Sequence, residues 1–250
     1  MLRHEGLSDA ELERYSRQLL LPEVDIAGQE ALRAARVLIV GAGGLGHPAA
    51  LYLAAAGVGE LLLMDDDRVE ASNLARQIGF RDSQIGQFKV DALAETLTAI
   101  NPGCRVVPLV ERAGETLATR LADVQLVLDC TDNFAARYAI NAACVARRVP
   151  LISGAAIRLA GQVASFDLRT SGSGCYHCLF SNSGEAEPGC SEAGVLGPLV
   201  GVIGSFQALL ALRCLTSGIL PNRFWQCDGK TFHWREARLV ADPACPVCSS

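Results

Sequence analysis

The stretch Val37-Leu-Ile-Val-Gly41-Ala-Gly-Gly-Leu-Gly46 joins a short apolar run to four closely spaced glycines. An apolar run of this length, followed at once by glycines, predicts a buried strand that turns sharply into a helix. Glycines in such a turn let backbone N–H groups approach a phosphate at the helix N-terminus. The stretch therefore predicts a phosphate-binding turn built from Gly41, Gly43, Gly44 and Gly46, although enzymes that bind dinucleotides share this pattern.

The composition is that of an α/β protein with one large core. Half of the 250 residues are hydrophobic, 20% are charged and 24 are glycine. A net charge of −5 argues against a chain that coats nucleic acid or an anionic membrane. The first nine residues carry no export signal. We therefore expect a cytoplasmic protein with neither a membrane nor a nucleic-acid partner.

One stretch tests that expectation, because residues 193–212 carry no charge and are long enough to span a membrane. Pro198 is typical of the first turn of a helix that follows a loop. We predict a crossover segment followed by a buried core helix, with a membrane span as the alternative.

Apolar runs alternate with helical patterns over the first two thirds of the chain. The predicted strands are 37–40, 61–64, 106–110, 126–130 and 151–152, and the predicted helices are 47–56, 90–100 and 134–147. This alternation predicts a doubly wound, Rossmann-like parallel sheet, with every one of these strands buried.

The pattern changes after residue 160. Residues 162–167 and 224–240 predict antiparallel strands, with Asp228-Gly229 as a tight hairpin turn, and 181–189 predicts a mobile loop. We expect one domain, 1–250, in which a nucleotide-binding half (about 30–160) continues into an antiparallel half (about 161–248).

Polar residues behind the turn distinguish the kind of nucleotide. Asp65 follows the next predicted strand, 24 residues after Gly41, where an acid can bind ribose hydroxyls. Arg76 and Lys89 can place positive charge on phosphate oxygens. Either cation alone would be read as a solvated helix residue, but together with the glycine turn they favour a polyphosphate such as that of ATP. The same segment holds Asp67, Asn73 and Gln77.

Asp132 lies just past the predicted strand 126–130, at the strand end where open α/β sheets bind ligands. Its carboxylate could hold Mg²⁺ against the phosphates. The alternative is that Asp132 caps the N-terminus of the helix that starts at Phe134, and the two roles are not exclusive.

Ten cysteines in a chain without an export signal indicate thiols and metal ligands rather than disulfides. Cys175 and Cys178 form one CxxC pair, and Cys245 and Cys248 form a second after 66 intervening residues. Two such pairs supply the four thiolates of a structural Zn²⁺ site, with unrelated thiol pairs as the alternative. Cys190 stands apart in a loop where a thiol could be exposed and reactive or merely solvated. The other five cysteines are expected to fill the core.

These motifs together resemble the ThiF/MoeB/HesA family, relatives of the ubiquitin-activating enzymes. The resemblance covers nearly the whole chain and is carried by Arg14-Tyr-Ser-Arg-Gln18, residues 41–46, 65–67 and 72–77, Lys89, Asp129-Cys-Thr-Asp-Asn133 and the paired cysteines. It implies that the chain uses ATP to adenylylate the C-terminal glycine carboxylate of a ubiquitin-like sulfur-carrier protein that ends in Gly-Gly.

The resemblance also implies roles for individual residues. Asp65 would bind the ribose, Arg76 and Lys89 the phosphates, and Asp132 the Mg²⁺. Arg14 would reach the active site of a second subunit, which implies a homodimer. The four paired cysteines would bind zinc, and Cys190 would act in sulfur transfer with a sulfurtransferase or cysteine desulfurase as partner.

Within the family, three segments favour the thiamine (ThiS-type) branch: Ala49-Ala-Leu-Tyr-Leu53, the acidic triplet 65–67 and the stretch from Asp228 to Arg235. Gly154-Ala-Ala-Ile-Arg158 favours the molybdopterin (MoaD-type) branch instead. An NAD-dependent oxidoreductase and a non-catalytic, zinc-stabilised binding subunit are the remaining alternatives.

Overall fold

In the computed structural model, which describes residues 6–181 and 194–249, a single eight-stranded sheet organises the chain. The strands lie in the order β3-β2-β1-β4-β5-β6-β7-β8. The first five are parallel to one another, whereas β5 to β8 pair antiparallel. Their bounds are β1 Arg36–Val40, β2 Glu60–Met64, β3 Arg105–Leu109, β4 Leu126–Asp129, β5 Leu151–Ile157, β6 Ala160–Phe166, β7 Arg223–Asp228 and β8 His233–Arg238.

Helices cover both faces of the sheet. In chain order they are α1 Asp9–Arg14, α2 Ser16–Leu19, α3 Asp25–Ala34, α4 Gly46–Ala55, α5 Lys89–Ile100, α6 Leu117–Arg120, α7 Phe134–Arg147, α8 Tyr176–Leu179 and α9 Gly197–Ser217. Two short 3₁₀ turns, Ala71–Asn73 and Asp82–Gln84, lie between β2 and α5.

Alternate residues of the central strands face the two halves of the core. On one face, Val37 and Ile39 of β1 pack in a cluster with residues of α3, α4, α5 and α9. On the other face, Leu38 and Val40 pack with residues of α6, α7 and α8 and with Cys245 near the C-terminus. The predicted doubly wound sheet with an antiparallel continuation is therefore confirmed.

The prediction that all parallel strands are buried is wrong for β3. Only Leu109 of this strand is buried, and Arg105 and Pro108 are exposed. The reason is that β3 is the edge of the sheet, where proline is tolerated because no further strand needs its N–H.

The predicted extent of β5 was too short. This strand pairs in parallel with β4 as far as Ser153, and then continues to Ile157 paired with β6. A two-residue turn, Arg158 and Leu159, joins β5 to β6, with Arg158 at a φ of 54°. The small residues from Gly154 onward carry no strand signal of their own, and tertiary packing makes them a strand.

The loop between β7 and β8 also differs from the prediction. Asp228 pairs with His233, so the connection has four residues rather than a tight two-residue turn. The Asp228 carboxylate accepts hydrogen bonds from the Lys230 N–H and the Thr231 hydroxyl, which fold the loop, and Phe232 takes up a φ of 59°. The aspartate initiates the turn, as its type suggests, but the turn is wider.

Helix α9 is, within the described ranges, the one helix long and apolar enough to cross a membrane by length and composition, and half of its most apolar window is buried. It begins with proline in its first turn, as predicted. A Cβ at Gly204 would lie 2.3 Å from the Leu45 carbonyl oxygen, so α9 packs closely on the start of α4. The helix is thus part of the core, in agreement with the core-helix prediction.

Gln207 is a fully buried polar residue in this otherwise apolar helix. Its Nε2 donates to the Asp129 carbonyl oxygen at 2.9 Å and to the Ile152 carbonyl oxygen at 3.2 Å. Its Oε1 accepts from the Cys130 thiol. One side chain therefore joins α9 to the ends of β4 and β5.

Replacing Gln207 with Met, a side chain of similar shape, removes the donor from two buried carbonyl groups. We expect the free energy of unfolding to fall by about 2–4 kcal/mol, because buried unpaired acceptors are costly. Urea denaturation measures this change. Gln226→Met on the exposed side of β7 is the matched control, with an expected change below about 0.5 kcal/mol. Equal effects of the two substitutions would contradict the assigned role.

His47, in the first turn of α4, is also fully buried. Its Nδ1 lies 2.9 Å from the Gly43 carbonyl oxygen, and its ring meets the Phe80 ring edge-on at 4.1 Å between centroids. Burial lowers the pKa of His47 from 6.5 to about 4, because the charged imidazolium would lose its hydration. The imidazole is therefore neutral near pH 7.

The lowered pKa of His47 makes stability depend on pH. As the pH falls below 6.5, the unfolded chain binds the proton before the folded chain does, so stability is lost between pH 6.5 and pH 4. We expect a loss of about 2 kcal/mol from His47 between pH 7 and pH 5. Urea denaturation at both pH values should show this component removed in His47→Asn and retained in the control His233→Asn, at an exposed position. An unchanged pH dependence in His47→Asn would contradict it.

Candidate active site

The glycine turn between β1 and α4 touches the backbone that follows β4. Gly41 has a φ of 97°, and a Cβ there would lie 2.6 Å from the Cys130 carbonyl oxygen. A Cβ at Gly46 would lie 1.9 Å from the Gly41 carbonyl oxygen. Only glycine fits at these two positions, so the turn is held tightly at the switch between β1 and β4. Gly43 and Gly44 lie between them, next to Gln77 and Val200 respectively.

Asp65 connects the end of β2 to this turn. Its Oδ2 accepts a hydrogen bond from the Ala42 N–H at 2.7 Å, and its Oδ1 accepts from the Asp67 N–H at 2.8 Å. Burial raises the pKa of Asp65, while the nearby Lys89 ammonium and the two backbone donors oppose that shift. The structure thus places this partly buried carboxyl group beside the turn, as the sequence predicts.

Lys89, the first residue of α5, is buried apart from a small fraction of its surface. Its Nζ lies 2.6 Å from Oδ2 of Asp67, whose carboxylate is largely exposed. Asp66, between Asp65 and Asp67, pairs with Arg112 at 2.9 Å. Lys89, Asp67, Asp65 and Ala42 therefore form one continuous chain of polar contacts that ends in the glycine turn.

The segment that carries Asn73, Arg76 and Gln77 runs alongside the same turn. Asn73 Oδ1 accepts from the Glu70 N–H, and an Arg76 guanidinium nitrogen donates to the Ser72 carbonyl oxygen at 2.9 Å. Gln77 is buried, with its amide nitrogen 3.7 Å from where a Cβ on Gly43 would stand. Its Oε1 has no hydrogen-bond partner within the described part of the chain.

These features fit a nucleotide. The four glycines of the turn carry no side chain that would keep a phosphate from the backbone N–H groups, and the buried Gln77, which lies next to Gly43, has a polar atom without a partner in the described residues. ATP therefore suits the donors, acceptors and cations that the structure gathers here.

Asp132 lies past the end of β4 and is exposed, and its Oδ1 accepts a hydrogen bond from the Asn133 amide at 3.5 Å. The residue that caps α7 is Asn133, whose Oδ1 accepts from the Ala136 N–H at 2.9 Å. The alternative that Asp132 is the helix cap is therefore wrong, because its neighbour already fills that position. A free carboxylate of this kind fits Mg²⁺, which binds proteins through one or two carboxylates together with nucleotide phosphates.

A buried carboxylate below this loop was missed by the sequence analysis. Asp129 is almost fully buried, and its Oδ1 accepts from the Thr131 N–H at 3.0 Å and the Thr131 hydroxyl at 2.7 Å. Its Oδ2 accepts from the Ser153 hydroxyl at 2.6 Å. Asp129 thus shapes the loop that carries Asp132. The sequence feature that could have identified Asp129 is its place at the end of an apolar strand.

Within one chain, Arg14 does not lie with the residues around the glycine turn. It is exposed on α1, and its Nη1 donates to the carbonyl oxygen of Ile100, the last residue of α5. Lys89 is the first residue of the same helix, and 12 residues of helix span about 17 Å. Arg14 therefore lies at the opposite end of α5 from Lys89.

The two CxxC pairs meet in one cluster. The sulfurs of Cys175, Cys178, Cys245 and Cys248 all lie within 4.8 Å of one another. Three of the distances are 3.9 Å for Cys175 to Cys178, 3.7 Å for Cys175 to Cys245 and 3.4 Å for Cys178 to Cys248. Four thiolates bound to one Zn²⁺ at 2.3 Å stand about 3.8 Å apart, so the four-cysteine cluster fits zinc.

Two hydrogen bonds to sulfur support this assignment. The Asn141 amide donates to Cys175 Sγ at 3.6 Å, and the Asp242 N–H donates to Cys178 Sγ at 3.4 Å. Such donors stabilise thiolate ligands. The five expected core cysteines, Cys104, Cys130, Cys144, Cys214 and Cys227, are buried and free. Cys190 and most of the predicted loop 181–189 lie outside the described residues.

Comparisons with known proteins agree with this geometry. The chain is 47% identical over 245 residues to the molybdopterin-synthase adenylyltransferase of Escherichia coli (strain K12). The aligned region covers 97% of this chain and 98% of that relative. It is 45% identical over 244 residues to the sulfur carrier protein ThiS adenylyltransferase of the same organism, which covers 97% of each. The crystal structure of PaaA matches with a TM-score of 0.81 and 26% identity, over 95% of this chain and 76% of that one.

A model of the ThiF family matches residues 15–247. That match spans more than nine tenths of the sequence, and it includes the glycine turn and three of the four clustered cysteines, Cys175, Cys178 and Cys245. The chain therefore belongs to the ThiF family.

Proposed function

We propose that this protein uses ATP to adenylylate the C-terminal glycine carboxylate of a ubiquitin-like sulfur-carrier protein, forming an acyl-adenylate and pyrophosphate ahead of sulfur transfer. The observation that carries the proposal is the continuous polar chain from Lys89 through Asp67 and Asp65 to the N–H of Ala42. It connects the Lys89 cation and Asp65, an acid placed where it can bind ribose, to a glycine turn of the kind that binds phosphate. The relatives named above as adenylyltransferases support the same reaction.

Each predicted residue then has a place in the reaction. The glycine turn and Gln77 line the phosphates, Asp65 binds the ribose, and Asn73 supports the segment that carries Arg76. Arg76 and Lys89 offset the negative charge of the triphosphate, which otherwise repels the attacking carboxylate. Asp132 holds Mg²⁺, which supplies further positive charge at the phosphates when it is bound.

No general base is needed in this reaction, because a carboxylate is already ionised at neutral pH. The site must overcome the repulsion between two anions and hold the attack in line with the departing pyrophosphate. Asp67 is paired with Lys89 in the structure. The binding of ATP would exchange that carboxylate for phosphate oxygens around the same ammonium.

The proposed carrier is of the ThiS type, with a MoaD-type carrier as the alternative. The acidic triplet 65–67 and the segment from Asp228 to Arg235 favour the first, and the segment from Gly154 to Arg158 favours the second. The two relatives from Escherichia coli match almost equally well, at 45% and 47% identity, and so support both carriers equally.

The remaining assignments concern assembly and organisation. We assign residues 1–250 to one adenylyltransferase domain, with nucleotide bound by about 30–160 and the carrier by about 161–248. Arg14, too far from Lys89 in its own chain, would complete the site of a second subunit in a cytoplasmic homodimer. Zinc would occupy the four-cysteine cluster. Cys190 would act after adenylylation, with a sulfurtransferase or cysteine desulfurase as donor.

Exchange of labelled pyrophosphate into ATP tests the reaction. We expect exchange only when a carrier ending in Gly-Gly is present, and faster exchange with a ThiS-type than with a MoaD-type carrier. Removing the two terminal glycines from the carrier is the control. Faster exchange with the MoaD-type carrier would reverse the proposed specificity. An absence of exchange with every carrier, together with tight NAD binding, would favour the oxidoreductase alternative.

Asp132→Asn and Arg76→Ala test the two roles at the phosphates. Each should lower the exchange rate at least about 100-fold with an unchanged melting temperature, because each removes charge stabilisation from the transition state. Asp123→Asn and Arg105→Ala are matched controls, since both residues are exposed near the opposite ends of the parallel strands. Near-normal exchange in Asp132→Asn or Arg76→Ala would show that the role is misassigned.

A further inference from the structure

A buried arginine connects the loop of Asp132 to the four-cysteine cluster. Arg137 lies in the first turns of α7 and is 7% exposed. Its Nη2 donates to the Thr131 carbonyl oxygen at 2.9 Å, and its Nη1 lies 3.5 Å from the Tyr176 hydroxyl. Thr131 directly precedes Asp132, and Tyr176 directly follows Cys175. A single guanidinium group therefore contacts both functional parts of the molecule.

Asn141, one turn further along α7, reinforces the contact with the cluster. Its Oδ1 accepts from the Tyr176 N–H at 2.8 Å, and its Nδ2 donates to Cys175 Sγ at 3.6 Å. Residues four apart share one face of a helix, so Arg137 and Asn141 present a single surface to α8. The Tyr138 hydroxyl adds a third contact, to the Phe180 carbonyl oxygen at 3.0 Å. Helix α7 thus fixes the short helix that carries the first CxxC pair.

The loop at the other end of this connection is held from two sides. The Asp129 carboxylate binds the N–H and hydroxyl of Thr131, and Arg137 binds its carbonyl oxygen. Asn133, which caps α7, closes the loop after Asp132. The backbone on both sides of Asp132 is therefore set by α7, and its position depends on how α7 is held.

We infer that Arg137 is a positioning residue through which metal in the four-cysteine cluster sets the position of Asp132, so that zinc and MgATP bind with linked affinities. The inference rests on the proposed function. A metal ion bound to Cys175 fixes the adjoining Tyr176, and Tyr176 fixes one side of the guanidinium whose other side holds Thr131. When the metal is lost, Tyr176 keeps its backbone contact with Asn141, but Cys175 no longer fixes its position from the other side. Linkage requires the effect to be reciprocal, so MgATP should also tighten the binding of zinc by the same factor.

The test compares MgATP affinity in zinc-loaded and zinc-stripped protein, measured by displacement of a fluorescent ATP analogue in Mg²⁺ buffer. In the unmodified chain, removal of zinc should weaken binding about tenfold, within the usual range of coupling between two sites. In Tyr176→Phe, which loses the hydroxyl facing Arg137 but keeps the ring and the Asn141 contacts, the ratio should fall well below tenfold. Tyr138→Phe is the matched control, because its hydroxyl contacts Phe180 and not Arg137, and it should keep the tenfold ratio.

A second measurement tests the same linkage from the side of the zinc. Zinc-loaded protein is equilibrated with increasing concentrations of a chromogenic chelator, and the zinc affinity is measured with and without MgATP. The affinity should rise about tenfold with MgATP in the unmodified chain and in Tyr138→Phe, and by clearly less in Tyr176→Phe. Tight MgATP binding with no dependence on zinc, or equal coupling in both tyrosine variants, would overturn the inference alone. A zinc-loaded chain that does not bind MgATP would instead overturn the proposed function.

Discussion

The close approach of two backbones, at Gly41 and at Cys130, is the constraint on which the rest of the site depends. The strand order reverses between β1 and β4, and the turns after both strands meet there. A Cβ at Gly41 would stand 2.6 Å from the Cys130 carbonyl oxygen, so no side chain can separate the two turns. Polar groups that serve the site must therefore come from around the contact: Asp65 from β2, Gln77 from the following segment and Asp132 from the loop after β4.

The sequence predicted the sheet well wherever a continuous apolar run marks a buried strand. Alternating apolar runs and helical patterns located every central parallel strand, since each of these strands is buried on both faces. The same signal failed for β5 beyond Ser153, where Gly154, Ala155 and Ala156 have small side chains with weak strand preference. That part of β5 exists because β6 pairs with it and because Gln207 packs where a Cβ on Gly154 would be. Strand β6 follows β5 after only a two-residue turn, but Gln207 is distant in sequence.

The residues of the candidate site also fall into those that the sequence revealed and those that only the structure shows. Residues that would touch the nucleotide lie on a few short motifs, so their types and spacing were visible in the sequence. The residues that hold those motifs, including Asp129, Arg137 and Gln207, are spread over distant elements and look like ordinary members of a strand or a helix. Gln207 reaches the Asp129 carbonyl from 78 positions away. Only the folded structure shows which distant group pairs with each of these buried side chains and so offsets the cost of burying it.

The electrostatics of the site follow from its apolar surroundings. The chain carries a net charge of −5, and Lys89 lies beside an acidic triplet, so the site is not a general attractor of anions. Lys89 is mostly buried and already paired with Asp67, whose carboxylate is largely exposed. A buried ammonium needs an anion close to it, whereas an exposed carboxylate is readily hydrated. An arriving phosphate group can therefore displace Asp67 into water without ever leaving Lys89 unpaired, and the cation remains desolvated throughout. Because a desolvated ammonium interacts strongly with charge, this pairing would keep Lys89 prepared for a triphosphate in the reaction that we propose.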